Sequence, residues 1–138
     1  MVFIKVHIDF CEKQHFKARA RDFTDIEMDE PESFHGSNLG PSPVEYLLIG
    51  IGGCLGSTLS FCMRKNNLEI KDLMLTVDGI LKHSGPKNRL RLKKIIVEVQ
   101  CTANGPRKLK NKCFNEFRDY CIVSNSLGIP IDIKIEKE

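Results

Sequence analysis

The 138-residue chain has no tryptophan and only two tyrosines, and its charge is close to balanced, 21 basic against 18 acidic residues for a formal net charge of +3. A nucleic-acid surface needs a larger excess of positive charge with aromatic side chains set among it. The local basic enrichments, Lys87 to Lys94 and Arg107 to Lys112, read as solvated surface, so no nucleic-acid partner is expected. The basic start and apolar run of a signal peptide are missing as well. The N-terminus, MVFIKVHIDFCEKQ, instead alternates Val2, Ile4, Val6, Ile8 and Phe10 with Phe3, Lys5, His7 and Asp9, the period of a β-strand. A cytoplasmic location is the expectation, and six cysteines in a reducing compartment would mostly stay thiols. None stands in a CxxC pair or at zinc spacing with histidine, so neither a metal nor a bound cofactor is expected.

What is present suits one folded domain over residues 1–138, with 41% hydrophobic and 28% charged residues. HFKARARDF places His15, Lys17, Arg19 and Arg21 on one face of a second strand and Phe16, Ala18 and Ala20 on the other. FTDIEMDEP makes a third strand ended by Pro31, and ESFHGSNLGPS is a loop. In the next segment Val44, Leu47, Leu48, Ile51, Leu55, Thr58, Leu59 and Cys62 recur at helical spacing. Ser42, Pro43 and Glu45 form a capping-box start for that helix. From Val44 to Met63 only Glu45 is charged, a run long enough to span a bilayer. The amphipathic strands on both sides need a core, however, and a buried helix supplies it, so no membrane partner is expected. DLMLTVDGILKH and RLRLKKIIVEVQC form a hairpin about SGPKN. Leu109, Cys113, Phe117 and Cys121 mark a second helix, and IPIDIKIEKE a last strand. The order gives an α+β fold.

Gly50, Gly52, Gly53 and Gly56 sit inside the long helix, where each costs up to about 1 kcal/mol relative to alanine. Close approach of a second helix would offset that cost, and Gly52-xxx-Gly56 has the small-residue spacing such pairs use. This places Cys54 at or beside a subunit interface. Cys54 is either a small core residue or a reactive thiol. It lies eleven residues past Pro43, out of reach of the helix dipole, so a thiolate there needs a cation from elsewhere. The face of Lys17, Arg19 and Arg21 is the first source, His35 the second, with Arg64 and Arg89 behind them. Glu45, about 13 Å down a straight helix from Cys54 and half a turn out of phase, is a capping residue with an Arg-orienting role as the alternative.

GSNLGPSPVEYLLIGIGGC, followed after a helix and a hairpin by YCIVSNSLGIPIDIKIE, resembles the OsmC/Ohr family of osmotically induced and organic-hydroperoxide-resistance proteins over about residues 26 to 136. The resemblance implies two β-sheet regions around a long central Gly-rich helix, an intertwined homodimer with sites at the interface, and a two-cysteine peroxidase. By matching position Cys54 would be the peroxidatic thiol and Cys121 the resolving one. Arg19 is the first candidate for the thiolate's cation and Glu45 for the acid that orients it. The implied activity is reduction of organic hydroperoxides through a Cys54 sulfenic acid and a Cys54–Cys121 disulfide, reset by an external thiol or dithiol. The rival is a non-enzymatic module whose interface pocket binds a small apolar ligand, with the cysteines structural. Cys11, Cys62, Cys101 and Cys113 match no family motif and are assigned to core or surface, and Ser124 and Asn125 to turn or cap.

Overall fold

The computed structural model of the chain describes residues 1–136. Two compact units divide at Leu47/Leu48. In the first, β1 (His7–Glu12), β2 (His15–Ala20) and β3 (Phe23–Met28) form an antiparallel sheet in that order. β1 begins at His7, not Val2, for want of a partner: His7 pairs with Arg19, and β2 ends one residue later at Ala20. Val2, Phe3 and Ile4 are left almost fully exposed. Arg21 likewise leaves the strand face expected for it. It turns with φ 54° between β2 and β3, and its guanidinium lies 4.8 Å over the Phe23 ring.

The loop after β3 is organised by Asp29, which is 1% exposed. Its carboxylate accepts the backbone N–H groups of Glu30 at 2.8 Å and of Ser37 and Leu39 at 3.2 Å. The coil is so tight at Gly36 that a Cβ there would stand 1.8 Å from the Glu30 carbonyl oxygen. The loop delivers the chain to α1 (Pro43–Lys65) through the expected capping box. Ser42 N–H donates to Glu45 at 2.9 Å, and Glu45 N–H donates to the Ser42 hydroxyl at 3.2 Å.

In the second unit β4 (Glu69–Ser84) and β5 (Arg89–Asn104) make the long hairpin, and β6 (Ile131–Glu136) joins β5 in parallel from Ile95↔Ile131 to Gln100↔Glu136. Between β5 and β6 run α2 (Arg107–Glu116), a 3-10 turn (Phe117–Tyr120) and α3 (Ile122–Ser126). Cys121 therefore does not continue the face of α2, as its four-residue spacing had suggested. It is extended (φ −76°, ψ 112°) at the N-cap of α3, because the chain tightens after Glu116 and then breaks.

The core joins Ile51, Leu55, Leu59 and Met63 of α1 to Ile95, Val97 and Val99 of β5, all with no exposed surface. By length and composition α1 is apolar enough to cross a membrane, but these side chains are committed to the sheet. Gly52 and Gly56 face the same sheet. A Cβ on Gly52 would lie 2.8 Å from Val77 Cγ2, and one on Gly56 3.0 Å from Leu75 Cδ1. The close neighbour of this glycine pair is β4, in place of the partner helix that its spacing predicted. Gly50 and Gly53 point the other way, where a Cβ would meet nothing within 4 Å.

Candidate functional site

Cys54 sits midway along α1, half-buried, and the chain brings Cys121 to it across 67 positions of sequence. Cys121 is fully buried at the N-cap of α3, and the first backbone N–H groups of that helix, at Ile122 and Val123, have no partner within it and lie close enough to the Cys54 sulfur to favour its charged form. Burial of the sulfur works to raise its pKa. Hydrogen bonds from the Val123 N–H, the Cys121 thiol and the Ile122 N–H outweigh burial, with a smaller contribution from Thr58, and hold Cys54 below the ordinary thiol value. The Thr58 hydroxyl also donates to the Cys54 carbonyl at 2.7 Å.

The groups that do most for the thiolate are thus neutral donors, two of them main-chain, and not the cation that sequence reasoning sought. Arg19 pairs with Asp9, Nε to Oδ2 at 3.4 Å, on the exposed face of the first sheet. Glu45 accepts from the Ser42 N–H and hydroxyl, which hold its carboxyl below the usual range. His35 is in the left-handed region (φ 69°) at the end of the short 3-10 turn Glu32–Phe34. Arg64 is in the last turn of α1, and Arg89 opens β5.

Asn125, read from sequence as a turn or cap residue, fixes the segment that carries Cys121. Its side-chain amide donates to the carbonyls of Cys121 at 2.8 Å, Arg118 at 2.9 Å and Asp119 at 3.1 Å. Arg118 in turn donates to the Ile131 carbonyl at 2.8 Å, tying the turn to β6. Thr58, Ile122 and Val123 were not legible as site residues, since two of them act through backbone that any residue could supply.

A second pair of cysteines is joined. Cys62 and Cys113, assigned from sequence to core or surface, form a disulfide between α1 and α2 with Cα atoms 5.7 Å apart. The signal for it was present but unpaired: each cysteine lies on the apolar face of its helix, and only the packing of those faces makes them neighbours. Among the described residues no group of three His, Cys, Asp or Glu side chains is placed to hold a metal ion.

The fold is shared by solved structures of low sequence identity. An OsmC-like protein from Mycoplasma pneumoniae aligns over 98% of this chain and 96% of its own with TM-score 0.82 and 17% identity. An OsmC-like protein of unknown function from Vibrio cholerae covers 99% and 100% with TM-score 0.85 and 12% identity. The organic hydroperoxide resistance protein OhrB of Bacillus subtilis covers 98% of each chain with TM-score 0.71 and 15% identity. No curated protein matches the chain. The family model described as OsmC-like protein matches residues 35–136, a stretch that contains the capping box, both cysteine sites and the whole second sheet, and the chain belongs to that family.

Proposed function

We propose that this protein is a thiol peroxidase that reduces organic hydroperoxides at Cys54. The observation that carries the reading is the proximity of the buried Cys121 thiol to a Cys54 sulfur that this thiol and the Ile122 and Val123 N–H groups favour as thiolate. A nucleophile and its resolving thiol are then in place before substrate arrives. The Cys54 thiolate attacks the terminal peroxide oxygen, the O–O bond breaks, and the alkoxide leaves as alcohol after taking a proton, giving a Cys54 sulfenic acid. Cys121 attacks that sulfur, water leaves, and a Cys54–Cys121 disulfide forms. Two electrons from an external thiol or dithiol restore both cysteines.

The working form in this reading is a cytoplasmic homodimer. Support comes from the second face of α1, where Gly50 and Gly53 lie open beside Ile49, 58% exposed. Such a face suits close approach by a second copy. Arg19 enters the reading as a cation for the thiolate and Glu45 as the acid that would orient it.

The test is intact mass and free-thiol count before and after one equivalent of cumene hydroperoxide. Wild type loses two thiols and two mass units, Cys121→Ser stops at a Cys54 oxyacid, and Cys54→Ser is inert. Slow and equal reaction of all three refutes the peroxidase and favours the ligand-binding module. Turnover of hydrogen peroxide equal to that of cumene hydroperoxide refutes the substrate preference.

A further inference from the structure

The Cys62–Cys113 disulfide borders a cavity of about 300 Å3 between α1 and the segment of α2 and the following turn. Its two sulfurs are unequal. Cys113 has no exposed surface, whereas Cys62 lines the cavity, so a molecule in the cavity meets the Cys62 sulfur first. The side-chain amide of Asn66 stands at the bond: one hydrogen goes to the Cys62 carbonyl at 2.8 Å, and the nitrogen lies 3.7 Å from Cys62 Sγ and 3.6 Å from Cys113 Sγ. The second hydrogen is thus available to whichever sulfur gains charge. The walls carry the rings of Phe61 and Phe117, and the exposed ammonium groups of Lys65 and Lys112 outnumber the single carboxylate, Glu116.

We propose that this cavity is a thiol-exchange site for a small thiol bearing carboxylates. The thiolate enters with its carbon stem against Phe61 and Phe117 and its carboxylates toward Lys65 and Lys112. It attacks Cys62 Sγ, a new sulfur–sulfur bond forms there, and the Cys62–Cys113 bond breaks. Cys113 leaves as thiolate, accepting from the Asn66 amide before it takes a proton. A second molecule of the same thiol completes the two-electron reduction, releasing its own disulfide and the Cys62 thiol. The cavity shares Thr58 with the Cys54 surroundings, but the exchange runs through Cys62 and Cys113 alone and stands whether or not Cys54 reduces peroxides.

The experiment uses the full, oxidised chain carrying Cys54→Ser, so that the more acidic free thiol does not compete. The protein is exposed to mercaptosuccinate, glutathione, 2-mercaptoethanol or cysteamine, quenched with iodoacetamide, and mapped by peptide mass. The expected product is a mixed disulfide on Cys62 with alkylated Cys113. After correction for each thiol's rate with a small-molecule disulfide, the two acidic thiols react about fivefold or more faster than cysteamine. Lys65→Gln with Lys112→Gln removes that preference while leaving 2-mercaptoethanol unchanged, and Asn66→Ala slows every thiol. The two lysines are exposed, so their replacement leaves the core intact, and circular dichroism confirms it. Adducts on Cys113, on Cys121 or on Cys11 in place of Cys62, or a charge preference that survives the double lysine change, overturn the proposal.

Discussion

At the scale of single residues, the thiolate of Cys54 is stabilised by donors that differ in how they respond to mutation. The N–H groups of Ile122 and Val123 survive any side-chain change short of proline, but the Cys121 thiol does not. Cys121→Ser keeps an O–H donor and Cys121→Ala removes it. The pH at which Cys54 alkylation by iodoacetamide is half-maximal lies below that of an ordinary thiol in wild type, stays low in Cys121→Ser, and moves up in Cys121→Ala, where the rate at pH 7 falls roughly threefold or more. Equal profiles for both variants would mean that the backbone alone supports the thiolate.

The elements carry their own tests, beginning with the glycines of α1. Gly53→Ala meets open space and gains helix propensity, so it stabilises the isolated chain by about 0.5–1 kcal/mol. Gly52→Ala gains the same propensity but drives a methyl to 2.8 Å from Val77 Cγ2, on a β-branched side chain with little freedom to turn, and loses about 1–2 kcal/mol net. Chemical denaturation of the two variants reads both signs. If a second copy covers Gly53, its substitution also weakens the dimer at low protein concentration while the monomer gains.

The loop that leads into α1 depends on Asp29. Burial opposes ionisation there, and the N–H groups of Leu39, Glu30 and Ser37 overcome it, so the folded-state pKa lies below the unfolded one. Stability from this group is therefore complete above about pH 4 and drains away as pH falls through the folded value. Glu27, Glu45 and Asp132 are depressed in the same direction, so the informative quantity is a difference. Asp29→Asn lowers Tm at pH 7 and flattens the acid limb of Tm against pH relative to wild type.

Much at this scale could be read from the chain alone. Ser42 and Glu45 announced the start of α1, and the alternation about SGPKN announced the hairpin, because capping and pleating are local. The start of β1 could not be read, since alternation shows that a strand is suited to pairing and not that a partner is there. Gly52 and Gly56 showed that something comes close, but small residues admit a strand as readily as a helix. Cys54 was singled out by its motif. Its supporting N–H groups were not, because backbone donors leave no mark on residue identity.

For the whole molecule, the Cys62–Cys113 bridge joins residues 51 apart. Loop-closure entropy assigns a cross-link of that span about 4 kcal/mol, with measured values more often 2–4. Replacement of both cysteines by serine should lower unfolding free energy by that amount in urea titration, with the m-value rising as the unfolded chain expands. An unchanged midpoint would show that the helices hold the contact without the bond.

The two pairs of sulfurs are nested, with 62–113 inside 54–121. While the inner bond is closed, the path along the chain from Cys54 to Cys121 no longer runs through 67 residues; it runs from 54 to 62, across the bridge, and from 113 to 121, eight residues on each side. A fourfold shorter tether raises the effective concentration of one chain end at the other by roughly eightfold, the three-halves power of the ratio. Even where the fold has loosened, the inner link keeps Cys121 tethered near Cys54, so the chance that an oxidised Cys54 finds an intramolecular thiol becomes a property of covalent topology as well as of native packing.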